Sequence, residues 1–166
     1  MKKLVIYNHG KDSIPWGEKT YALAEVAKRH SYDFISPDYQ ITNDPEFRVK
    51  QLLAIDLSAY QDIILVGSSM GGYVITVASE IIKPKGLFLI APAFYLDGYL
   101  RTDFNLNCKN IEVFHGWQDE IVPSENSWRF CQQYQAKLHM LNSDHRLLSV
   151  LPFITDSFDR FLSGCV

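Results

Sequence analysis

The chain has only three cysteines, Cys108, Cys131 and Cys165, in 166 residues. Their odd number and wide spacing exclude a disulfide framework and suit a reducing cytoplasm. They also lack the close pairing of zinc ligands, and none of the five histidines forms an i, i+4 pair, so no metal site is expected. No apolar run reaches the length that spans a bilayer. The opening Met1-Lys2-Lys3-Leu4-Val5-Ile6-Tyr7 has a basic start and an apolar continuation, but the run stops at Asn8-His9-Gly10. That is too short for the core of a secretion signal, and no small-residue cleavage site follows. Excess positive charge is missing too. A net charge of −3 gives no electrostatic basis for nucleic acid or an anionic membrane as partner. Neither a G-x-G-x-x-G fingerprint nor a P-loop is present, which argues against a flavodoxin-like phosphate or nucleotide binder. Repeats, low-complexity tracts and long linkers are absent.

What is there is a globular composition, 47% apolar and 21% charged over a length that suits one domain, residues 1–166, with a substantial core. Short apolar runs alternate with helical patterns. Leu4–Asn8, Asp33–Ser36, Ile63–Val66, Gly86–Ala91, Ile111–His115 and Lys137–Leu141 read as six strands. Between them, Glu18–His30 carries a Leu23-Val26-Ala27 stripe. Asn43-Asp44-Pro45 starts a helix with a capping side chain and a proline in the first turn. Gly72–Ile82, Ser124–Tyr134 and Leu147–Leu162 complete the helices. Fully apolar strands alternating with helices predict an α/β fold, a doubly wound, mainly parallel six-stranded sheet with helices on both faces. Ligands in such sheets sit at the carboxyl ends of the strands.

One of those ends carries Gly67-Ser68-Ser69-Met70-Gly71, a G-x-S-x-G pattern between the third strand and the next helix. Strand, sharp turn and helix is the setting in which this pattern marks a nucleophilic serine. The turn is so tight that the residues two before and two after Ser69 must be very small. A serine hydroxyl is a weak nucleophile at neutral pH. It needs a base in hydrogen-bond reach and an acid to fix the base's tautomer. Asp119 follows the fifth strand and His145 the sixth, so both fall on the side of the sheet where Ser69 projects. Glu120 and, after the fourth strand, Asp97 and Asp103 are competing acids. Asp144 reads as a local turn residue. His9 and His115, at strand ends, read as hydrogen-bonding residues that shape their loops.

In chain order Ser, Asp, His, these elements resemble the small, lid-less α/β-hydrolases, and especially short bacterial serine esterases. The likeness rests on Asn8-His9-Gly10, on Gly67-Ser68-Ser69-Met70-Gly71-Gly72-Tyr73, and on His115 to Pro123 as the acid stretch, H-G-x-x-D-x-x-V-P. Two departures stand out. Lys11 follows His9-Gly10 where an apolar residue is commoner, and Asp144 precedes His145 in place of a glycine-rich approach. The resemblance implies Ser69 as nucleophile, His145 as base and Asp119 as acid. The backbone N–H groups of Met70 and Lys11 then form the oxyanion hole, and no cofactor is needed. The Met70 side chain lines an acyl pocket or packs inside the helix. The Lys11 side chain hangs over the mouth, where it favours anionic esters, or is simply solvated.

The connection Pro92–Phe104 is too short for a lid domain. Its aromatic residues wall a pocket or pack on the sheet as a short helix. The expected activity is a carboxylesterase acting on small soluble esters. Thioester or amide hydrolysis by the same triad, and a non-catalytic binding protein that keeps the fold, are the alternatives.

Overall fold

A computed structural model describes residues 1–165. Its strands are β1 (Lys2–Asn8), β2 (Asp33–Ile35), β3 (Tyr60–Ser68), β4 (Gly86–Ile90), β5 (Ile111–Gly116) and β6 (Lys137–Leu141). They form one sheet in the order β2-β1-β3-β4-β5-β6, and every neighbouring pair is parallel. The helices are α1 (Glu18–Arg29), α2 (Pro45–Leu53), α3 (Met70–Ile82), α4 (Ser124–Tyr134) and α5 (Leu151–Gly164). Among the described residues no helix is long and apolar enough to cross a membrane.

The period of two along each strand divides the core. Leu4 and Ile6 of β1, Ile63 and Leu65 of β3, Leu87 and Leu89 of β4 and Val113 of β5 pack with residues of α2, α3 and α4. Their neighbours Val5, Tyr7, Ile64, Val66, Phe88, Ile90 and Phe114 pack with Leu23 and Val26 of α1 and Ile154 and Phe158 of α5. Both faces are covered, which is why these strands read as continuous apolar runs rather than alternating ones. Asp44 caps α2, its carboxylate accepting from the Glu46 N–H at 3.1 Å, with Pro45 in the first turn.

The order of strands fixes where a ligand can go. From β1 the chain moves outward to β2, then returns to place β3 on the other side of β1. The loops after β1 and β3 therefore diverge and leave a crevice at the carboxyl end of the sheet.

Two expectations need correction. The helix expected over Leu147–Leu162 begins later. Leu147 adopts φ 58°, a 3₁₀ turn follows over Leu148–Val150, and α5 starts at Leu151. The reason is local: the Asp144 carboxylate accepts from the N–H groups of Arg146 and Leu147 at 3.1 and 3.2 Å, which favours a turn over a helix. Pro92–Phe104 forms no helix either. Phe94 and Phe104 are drawn into the core beside α4, where Phe94 stacks on Phe130 at 4.2 Å. The Asn126 amide bonds the Phe94 carbonyl at 2.8 Å. Anchored side chains of this kind hold the segment down without internal helical hydrogen bonds.

The start of α3 lies against the end of β1 with no room for a side chain. A Cβ at Gly71 would collide with the backbone carbonyl of Asn8, and one at Gly67 with the carbonyl of Gly71. Backbone cannot swing aside as a flexible side chain can. Gly71→Ala should therefore lower stability by at least the upper end of the usual overpacking range, about 3 kcal/mol. Gly164→Ala, where an added Cβ meets nothing within 4 Å, is the control. Calorimetric unfolding of both variants checks this, and equal melting temperatures would contradict the close approach.

Candidate active site

Ser69 stands between β3 and α3 with φ 54° and ψ −117°. For a residue other than glycine that conformation costs about 1–3 kcal/mol and persists only where its surroundings enforce it. Here three backbone hydrogen bonds of 2.9 Å do so, beside a longer one from the Tyr73 N–H to the Ser69 carbonyl at 3.4 Å. The Ser69 N–H donates to the Ile90 carbonyl, and the Ser69 carbonyl accepts from Gly72 and Ala93, each at 2.9 Å. Gly67 and Gly71 remove the collisions described above. Gly72 does the same toward Pro92, whose Cβ would lie 2.8 Å from an added Cβ. The elbow is thus a property of packing between strands β1, β3 and β4 as much as of the five residues that spell it.

The structure brings Ser69, His145 and Asp119 together. Ser69 Oγ lies 3.0 Å from His145 Nε2, and His145 Nδ1 lies 2.7 Å from Asp119 Oδ2. A carboxylate can only accept, so Nδ1 carries the proton and Nε2 presents its lone pair to the Ser69 hydroxyl. The acid is itself tightly held. Asp119 Oδ1 accepts from the N–H groups of Ile121 and Val122, both at 2.8 Å. Its Oδ2 also lies 3.1 Å from His115 Nε2, and the side chain is fully buried. Burial by itself raises the Asp119 carboxyl. The hydrogen bonds from His115, His145, Val122 and Ile121 outweigh it and hold the group well below the usual carboxylate range.

His115 is locked in turn. Its Nε2 also faces the Val122 carbonyl at 2.9 Å, so that nitrogen must bear the proton, and Nδ1 accepts from the Ser127 hydroxyl at 2.6 Å. The competing acids lie apart from His145. Asp97, Asp103 and Glu120 are exposed, and Asp103 bonds Gln133 on α4.

Across the crevice, the loop after β1 is shaped by two residues. His9 Nε2 accepts from the Tyr39 N–H at 2.9 Å, so its Nδ1 holds the proton and donates to the Gly10 carbonyl at 2.9 Å. Burial foremost, and the Arg48 charge with it, lower the His9 pKa and favour this neutral form. Arg48, 1% exposed, donates from Nη1 to the carbonyls of His9 and Gly10 at 3.2 and 3.1 Å, and from Nε to Thr42 at 2.8 Å. Among the described residues all peptides are trans. In a trans peptide the C=O and N–H point in opposite directions, so anchoring the Gly10 carbonyl on Arg48 turns the Lys11 N–H the other way. Gly10 borders Ser69, since a Cβ there would lie 3.3 Å from Ser69 Cβ. Met70 is the first residue of α3, where an N–H has no partner within the helix. The Met70 side chain packs in the core with Tyr73 and Phe94, so of its two expected roles it takes the structural one.

Sequence reasoning missed Arg48, Ser127 and Lys19. Arg48 had a legible signal, a charged residue on the buried face of α2 beside Val49 and Leu52. Ser127 and Lys19 had none. Of the three, Lys19 lines a cavity of about 540 Å³, together with Ser69, His145 and the loop after β1, with Leu96, Tyr99 and Ile121 as apolar wall. Lys11 lines it as well, with an exposed side chain. Among the described residues no cluster of three His, Cys, Asp or Glu side chains could hold a metal ion.

A six-stranded parallel sheet with a serine elbow after β3 is the architecture of the α/β-hydrolase superfamily, here in a small, lid-less form. Comparison with solved structures agrees. A Xanthomonas campestris protein ascribed to that hydrolase superfamily superposes with TM-score 0.89 at 26% identity, over 98% of this chain and 99% of the other. Est1E from Butyrivibrio proteoclasticus gives 0.83 at 21% identity, over 99% and 88%. An esterase of Pyrococcus furiosus gives 0.77 at 19% identity, over 98% and 83%. The chain belongs to the uncharacterised protein family UPF0227, which it matches over residues 4–105. That stretch holds Ser69 and the loop after β1, and ends before Asp119 and His145. No curated protein matches the chain.

The depressed Asp119 carboxyl carries a pH dependence of defined sign. A group whose folded pKa lies below its unfolded value of about 3.9 stabilises the fold above that value. The contribution is lost as pH falls through the folded pKa. Asp119→Asn lacks it throughout. The stability gap between parent and variant should therefore be widest near neutral pH and shrink as pH drops below about 4. Urea unfolding across that range measures it, and a constant gap would refute the assignment.

Proposed function

We propose that the protein is a serine hydrolase that cleaves small carboxylic esters. One observation supports this reading above the others: an unbroken hydrogen-bond chain from Ser69 through His145 to a buried, multiply held Asp119. Such a chain gives a serine the base it lacks and gives the base its tautomer. The likeness to esterases and hydrolases of the same fold agrees with it.

In this reading Ser69 Oγ attacks the ester carbonyl while His145 Nε2 takes its proton. The charge that develops on the carbonyl oxygen meets the N–H groups of Met70 and Lys11, preset by the elbow and by the Arg48-anchored loop. The C–O bond to the alcohol breaks as His145 returns the proton to that oxygen, leaving an acyl group on Ser69. Water then attacks the acyl carbonyl, giving its proton to His145, and the carboxylic acid departs as the proton passes back to Ser69 Oγ. Asp119 stays ionised throughout and stabilises the imidazolium formed in each half. A cavity of about 540 Å³ suits a small ester.

A fluorophosphonate probe should modify Ser69 and no other serine, since only an activated hydroxyl reacts. Mass-spectrometric location of the adduct elsewhere, or no adduct, would overturn the reading and return the chain to a binding role. Asp119→Asn should fold and lose turnover of 4-nitrophenyl acetate by a factor on the order of 10⁴. Asp97→Asn and Asp103→Asn should leave it nearly unchanged. Steady-state kinetics of the three variants decide whether the acid lies after β5.

A further inference from the structure

One charged group on the cavity wall has no part in the hydrolysis described above. Lys19 belongs to the first turn of α1, and its side chain reaches the end of β3. Its Nζ donates to Ser68 Oγ at 3.2 Å and to the Arg146 carbonyl at 3.0 Å. Ser68 adjoins the nucleophile and Arg146 adjoins the base. An ammonium has three N–H donors. Two are used here, both on neutral oxygens, and among the described residues Lys19 forms no ion pair. Burial foremost, with Arg146 adding to it, pushes the amine down to about 8, which still leaves it charged at pH 7. The Asp144 carboxylate acts on this ammonium only from beyond contact distance, and a bound anion would relieve the remaining cost of its burial.

The rest of the lining points the same way. Lys11 and Arg146 bring two further positive charges to the cavity, against Asp12 and Glu18. Asp12 is drawn aside, its carboxylate accepting from the Asn43 amide at 2.8 Å. The chain as a whole carries −3, whereas the charged side chains lining the cavity are three cations against two carboxylates, with Asp119 and Asp144 outside that lining. Opposed charge at a site is how proteins concentrate a charged ligand.

We propose that the cavity selects esters bearing a carboxylate a few bonds from the scissile carbonyl, with the Lys19 ammonium as its counter-charge and Lys11 and Arg146 as the attracting rim. The proposal rests on the reading of Ser69 as nucleophile. It shifts the main role from Lys11, which is exposed, to Lys19, which lies deeper and next to the reacting residues. One open N–H on one ammonium matches the single charge of a carboxylate.

The test compares kcat/KM for 4-nitrophenyl hydrogen glutarate, an anion, with its neutral methyl ester, in the parent, Lys19→Met and Lys19→Arg. The parent should prefer the anion by a factor on the order of ten. Lys19→Met should bring the ratio close to one, and Lys19→Arg should keep most of it. A parent ratio at or below one overturns the proposal, whether or not the variants fold. So does an equal loss on both esters in Lys19→Met, which would make Lys19 a clamp for the loop that carries His145. Fluorophosphonate labelling of the parent separates the two readings. Ser69 labelled with no preference for the anion sinks the carboxylate selection alone, whereas Ser69 unlabelled with neither ester cleaved sinks both.

Discussion

The arrangement at the carboxyl end of the sheet depends on one close approach, the backbone of Gly71 against the carbonyl of Asn8. It brings the first turn of α3 onto the end of β1 and so sets the distance between the elbow and the loop after β1. A single methyl group there would push the two apart. The positive φ of Ser69 follows from the same packing, because the chain must reverse sharply between β3 and α3 without leaving the sheet. Strain of a few kcal/mol at one residue persists because backbone hydrogen bonds to β4 and the following loop over-determine it.

The charged groups around the elbow are handled in two ways. Asp119 is buried and fully supplied with donors, so it remains an anion and fixes the proton on His145 Nδ1. Arg48 is buried and supplied with backbone carbonyls, so it fixes the direction of a peptide instead of pairing with a carboxylate. In both cases a charge is satisfied by fixed dipoles, which do not reorganise when chemistry moves charge nearby. Lys19 differs from both, because part of its donor capacity faces a cavity.

Much of the fold was legible because both core layers draw on strands buried on two faces. Runs such as Ile63-Ile64-Leu65-Val66 have no polar alternation, and that pattern belongs to a parallel sheet covered by helices. The helix start at Asp44-Pro45 was legible because capping is a matter of neighbouring residues. The late start of α5 was not. It follows from the Asp144 side chain competing for backbone N–H groups that the apolar spacing assigned to a helix. The irregular course of Pro92–Phe104 was also hidden, since its aromatic residues are held by α4, far away in sequence.

The sequence by itself determined the layered α/β architecture, the position of Ser69 at a tight turn and the candidate set of acids and bases. These depend on short-range rules: the period of two, the small residues that a sharp turn demands and the placement of polar residues after strands. Only the tertiary structure decided that His145 bonds Asp119 rather than Asp97, Asp103 or Glu120. It alone put His115 and Ser127 behind that acid, Arg48 behind the Gly10 carbonyl and Lys19 beside Ser68. Each of these contacts joins residues on different elements. Their spacing in the chain says nothing of their spacing in space, because it is the stacking of helices on a twisted sheet that brings them within hydrogen-bond reach.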